Sequence, residues 1–83
     1  MTTIAIIKAK NSNYSAIRLT GDDDADEKAM REAARREPLF TTPGDVVASA
    51  ERWYPGLRAN EELTNEMRNR RYWGVDFMVA TAR

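Results

Sequence analysis

The sequence predicts an α+β two-layer sandwich, in which a three-stranded antiparallel-type sheet (β-β-α-α-α-β) carries its helices on one face. Three observations lead there. Alternating runs over residues 14–20 and 72–81 read as strands. Three stretches between them open on helix-capping residues. The length of 83 residues allows one domain, 1–83, with a single compact core.

The elements follow in order. Residues 3–10 are rich in β-branched side chains and read as the first strand. Asn11-Ser12-Asn13 is a turn cluster, and a three-residue link between two such runs signals a hairpin. In the second strand Ser15, Ile17 and Leu19 share one face, with Tyr14, Ala16, Arg18 and Thr20 on the other. Gly21 breaks it, and Asp22-Asp23-Asp24 opens a helix that runs to about Glu37 and stops at Pro38. Ala25, Ala29, Met30, Ala33 and Ala34 give this helix a small apolar face. Asp24–Lys28, Glu27–Arg31 and Glu32–Arg36 sit four apart, acid first.

Thr42-Pro43-Gly44-Asp45 starts a second helix, with threonine as cap and proline at the first helical position. Its expected buried stripe is Val46, Val47, Ala50 and Trp53 or Tyr54, and Pro55-Gly56 ends it. Asn60 caps a third helix, Glu61 to about Arg71, which buries Leu63 and Met67. Residues 72–81 then place Trp73, Val75, Phe77 and Val79 on one face of the last strand, which pairs beside the first and antiparallel to it.

The composition excludes several chemistries. The chain has no cysteine and no histidine. Disulfides, iron–sulfur clusters, thiolate zinc sites and imidazole-activated nucleophiles are therefore absent. The four glycines are scattered singly and form no phosphate-cradling loop, and no pair of carboxylates is spaced as a catalytic site. No enzyme activity and no cofactor are expected. Asp22, Asp24 and Asp26 alternate like the start of a calcium loop, but Glu27 and Ala33 occupy the positions that need glycine and a bidentate glutamate, so no metal site is expected. Only four consecutive apolar residues, Ile4 to Ile7, precede Lys8, too few for a membrane span. A small secreted domain is commonly stapled by disulfides, so their absence favours a cytoplasmic protein.

Thirteen basic residues balance thirteen acidic ones, yet the balance is regional. Residues 21–37 carry a net charge of −3 and residues 38–62 a further −2, against +3 in 1–20 and +2 in 63–83. Two surfaces result. Asp22, Asp23, Asp24, Asp26 and Glu27 form an acidic helix start suited to a basic protein partner. Arg68, Arg70 and Arg71 beside Tyr72 and Trp73 interleave guanidinium groups with rings, a pattern suited to nucleic acid. Trp53 is expected in the core, with Tyr54 or Tyr72 outside; tyrosine beside arginine is typical of interface anchors.

A hairpin, a helical middle and one return strand in some eighty residues, with no catalytic motif, resembles small phage- or mobile-element-encoded inhibitors such as anti-CRISPR proteins. The resemblance implies binding to a host nucleic-acid-handling complex through Asp22, Asp23, Asp24, Asp26, Glu27 and Tyr54, blocking a basic or catalytic surface. The alternatives are a nucleic-acid-binding regulator using Arg68, Arg70, Arg71 and Tyr72, and a structural subunit that dimerises through the open edge of the second strand.

Overall fold

The computed structural model describes residues 1–9, 12–36 and 40–83. In chain order the elements are β1 (Thr2–Lys8), β2 (Tyr14–Arg18), α1 (Asp23–Arg35), α2 (Pro43–Glu51), β3 (Arg58–Ala59), α3 (Glu61–Arg70) and β4 (Asp76–Ala82). The strands lie in the order β2-β1-β4-β3, and each neighbouring pair is antiparallel. The expected hairpin forms, with Ala5 opposite Ile17, and the last strand pairs beside the first, with Ala5 opposite Val79. Ser12 turns the hairpin with φ of 67°, and the Ala9 N–H donates to the Asn13 carbonyl at 2.9 Å. Pro38, the expected helix stop, lies outside the described residues; the helix itself ends at Arg35.

Two features correct the expected architecture. Among the described residues the sheet has four strands instead of three. Beyond α2, Gly56 (φ 82°) turns the chain back, Leu57 fills the core, and Arg58 and Ala59 pair with Thr81 and Ala80. The helices also occupy both faces of the sheet. Ala5, Ile7, Phe77 and Val79 pack with Met30 and Ala33 of α1, Met67 of α3 and Trp73. The intervening positions Ile4, Ile6, Ala80 and Ala82 pack on the other side with Val46 of α2 and Leu57. The central strands are thus buried on both faces, and α2 supplies the second cover.

The helix starts follow the capping chemistry in the sequence. Asp22 accepts from the Asp24 N–H at 3.1 Å, Thr42 from the Asp45 N–H at 3.1 Å and Asn60 from the Leu63 N–H at 2.9 Å. Asn60 also donates through its side-chain amide to Thr81 and through its N–H to the Val79 carbonyl, which ties the start of α3 to β4. Thr64, one turn on, accepts from the Val79 N–H at 3.0 Å. That bond satisfies a strand donor beyond the end of the two-residue β3.

Regular pairing in β4 begins at Asp76, not at Tyr72. The predicted alternation nevertheless survives in the irregular residues before it. Trp73 and Val75 lie against the same core as Phe77 and Val79.

Candidate interaction surfaces

The acidic start of α1 separates into three roles. Alternate positions on a helix diverge by roughly 200°, so Asp24 and Asp26 cannot share one face. Asp22 is consumed as the cap. Asp26 turns inward: it is buried, and its carboxylate accepts from the Thr20 N–H and the Thr20 hydroxyl at 2.8 Å each and from the Gly21 N–H at 3.0 Å. It closes the turn between β2 and α1, where Gly21 adopts φ of 95°. As a partner-contact residue Asp26 is therefore corrected to an internal one, because a side chain with both oxygens occupied by the fold offers nothing to a second molecule.

The remaining acids meet the arginines at the end of α3. Arg70 approaches Asp23 at 2.9 Å, and Arg71 bridges Asp24 and Glu27 at 3.1 Å each. Glu27 also faces Arg31 at 3.6 Å, the one helical pair of the predicted set that the ion pairs include. Asp24 turns away from Lys28 toward Arg71. The Asp24 hydrogen bond, with Glu27 adding to it and desolvation opposing, holds the Arg71 guanidinium above its ordinary pKa. It stays charged throughout the range in which the protein is handled. The two surfaces that the sequence offers as alternatives, one acidic and one basic, thus form a single alternating-charge face.

Beyond Arg71 the chain turns. Trp73 is buried, donates its indole N–H to the Met67 carbonyl at 2.8 Å, and stands edge-on to Phe77 with ring centroids 5.9 Å apart. The Arg71 guanidinium lies 5.2 Å from its ring centroid. Arg68 donates to the Phe77 carbonyl and lies 3.7 Å from Asp76. Between these anchored neighbours Tyr72 points outward and is 84% exposed. It borders an open groove of about 440 Å³ shared with Arg68, Asn69, Arg71 and Gly74.

Gly74 makes this turn possible. Its φ is 77°, and a Cβ there would sit 2.6 Å from the Arg31 guanidinium, which donates to the Trp73 carbonyl at 3.1 Å. Gly74→Ala is expected to cost about 1–2 kcal/mol, from left-handed backbone strain plus displacement of Arg31. The midpoint of urea denaturation measures it; an unchanged midpoint would mean that Arg31 is not held against this peptide.

The aromatic pair at the end of α2 reverses the expectation. Trp53 is 81% exposed, while Tyr54 is half-buried against the α2-side core with the Arg18 guanidinium 5.8 Å from its ring centroid. The helix ends at Glu51, so helical phase no longer governs residue 53. The signal was present in Pro55-Gly56, which bends the chain before a second ring can reach the core. At the far edge of the sheet, Tyr14 exchanges backbone hydrogen bonds with Phe40 at 2.8 and 3.3 Å. The open edge of β2 is therefore covered at that end, and by strand alternation Ala16 and Arg18 present the remaining outward backbone groups.

Among the described residues no group of three or more acids could hold a metal ion, and no helix is long and apolar enough to cross a membrane. Compared with protein-family models, with curated proteins and with solved structures, the chain matches none.

Proposed function

We propose that the protein is a non-enzymatic, cytoplasmic protein-binding module that inhibits a nucleic-acid-handling host complex of the CRISPR-effector kind. The observation that carries this reading is Tyr72: a fully presented phenol on a turn whose neighbours are fixed by hydrogen bonds and ion pairs. A tyrosine side chain has only two torsions to order on binding, and tyrosine with arginine dominates the energetic centres of protein interfaces. The alternating charges of Asp23, Arg70, Asp24, Arg71 and Glu27 surround it as a polar rim that sets register and orientation. Because the three acids of the rim are paired with its two arginines, the partner surface is of mixed charge instead of strongly basic. Nucleic-acid binding through Arg68, Arg70 and Arg71 is the weaker reading, since each guanidinium already has an acceptor within the fold.

The test adds purified protein to CRISPR effector complexes of several types and to a bacterial RNA polymerase, reading DNA cleavage, transcript yield and co-elution. Stoichiometric inhibition of one complex, weakened roughly tenfold or more by Tyr72→Ala, is the expected result. Unimpaired activity of every complex, or inhibition indifferent to Tyr72→Ala, would remove the proposal.

A further inference from the structure

The turn after α3 carries both a projection and a recess. The Tyr72 ring projects into solvent, and the groove of about 440 Å³ beside it stands open. The walls of that groove suit a ring. The Arg71 guanidinium lies 5.2 Å from the Trp73 ring centroid and that of Arg68 lies 5.5 Å from the Phe77 ring centroid. All four residues line the groove, and both of these rings are buried. An aromatic side chain entering from solvent therefore meets guanidinium groups, which attract the face of a ring. That attraction uses no N–H donor, so the hydrogen bonds of Arg68 and Arg71 within the fold stay in place.

We infer that the protein pairs with a second copy of itself through this face, each Tyr72 ring entering the groove of the other copy. The contact is isologous: one face supplies both knob and hole, so the assembly closes at two. An aromatic side chain of a different protein fills the groove but leaves Tyr72 without a recess of its own. A second copy satisfies both at once. The charges of the face are also self-complementary. Asp23, Asp24 and Glu27 come from α1, whereas Arg68, Arg70 and Arg71 follow one another at the end of α3. A two-fold axis running between the two rows sets the acids of each copy against the arginines of the other. Zero net charge leaves no overall repulsion between the copies. The inference does not rest on the inhibitory function, because the isolated protein is sufficient to test it. Where both hold, the host complex competes with the second copy for Tyr72.

The experiment measures the mass of the purified chain by sedimentation equilibrium from roughly 10 μM to roughly 1 mM, with circular dichroism checking that each variant is folded. A reversible monomer–dimer equilibrium that stops at two copies is expected. Tyr72→Ala should weaken it roughly tenfold or more, and Tyr72→Phe, which keeps the ring, should retain most of it. Trp53→Ala removes another exposed ring and should leave the association unchanged. In proton–nitrogen correlation spectra the Asn69 and Gly74 amides should shift with concentration in the parent and not in Tyr72→Ala. A chain monomeric throughout the range, a dimer indifferent to Tyr72→Ala, or growth beyond two copies would each overturn the assignment. A monomer would leave the inhibitory reading of Tyr72 standing, whereas a dimer that inhibits no host complex would remove that reading alone.

Discussion

Trp73→Ala is expected to cost about 4 kcal/mol, close to the total stability of a domain of this size, and to leave a substantial unfolded population at room temperature. The cost has separable sources. Trp73 is 2% exposed and fills the space among Met30, Met67 and Phe77, so its removal opens a cavity too large for neighbouring side chains to close. Its indole N–H is the buried donor to the Met67 carbonyl in the last turn of α3. The ring also forms the surface over which the Arg71 guanidinium lies. Trp73→Phe keeps most of the volume and loses the N–H, so it should fall between the two, at about 1–2 kcal/mol. Urea denaturation followed by circular dichroism reads both. A Trp73→Ala variant as stable as the parent would mean that the residues after α3 do not pack as part of the core.

Asp26→Ala is the second large effect. Three donors converge on one buried carboxylate, two of them backbone N–H groups of the turn between β2 and α1. Their loss should cost about 3 kcal/mol, which lowers the thermal midpoint by roughly 12–24 °C in a domain of this length. Asp26→Asn keeps an acceptor oxygen and should cost about half as much. Calorimetry separates this account from a surface role: a binding residue could be truncated with little change in midpoint, whereas this one cannot.

Much of the fold is legible in the sequence. All three helix caps, the hairpin and the pairing of the last strand with the first follow from local chemistry and alternation. The second helical layer was readable too, but from a different feature. Ile4 to Ile7 is an uninterrupted apolar run, and a half-exposed strand would alternate; four consecutive buried residues require cover on both faces. The strand at Arg58–Ala59 carried no such pattern, because two exposed residues cannot display a period. Its pairing is a tertiary consequence of the turn at Pro55-Gly56 and the burial of Leu57.

The candidate surfaces were legible as residues but not as relationships. Asp23 and Arg70 are 47 positions apart, and nothing local in either segment shows that they meet. Asp26 looked like its acidic neighbours because composition does not reveal which member of a cluster faces inward. Helical phase does, once the helix is known to start at Asp23 and Met30 and Ala33 mark the buried side. Trp53 was misplaced for the opposite reason: helical phase was extended past the point where the helix stops. Tyr72 is exposed as the alternation implies, since Trp73 beside it takes the inward position in the run.

The organisation of the charged face follows from these contacts. Acids at the start of α1 and arginines at the end of α3 each suit their own helix dipole, and they also suit one another. Part of the stabilisation belongs to the helices and part to the pairing between them. A charge-reversal cycle on Asp23 and Arg70 separates the parts. Asp23→Arg and Arg70→Asp each oppose a dipole and set like charges together, and the double variant keeps the dipole penalties while restoring an opposite pair. Thermal denaturation of the four proteins should place the double variant about 1 kcal/mol, or roughly 4–8 °C, above the sum of the single losses. Additivity to within about 0.3 kcal/mol would instead mean that these side chains stand apart in solution, leaving the acids and the arginines as two independent surfaces.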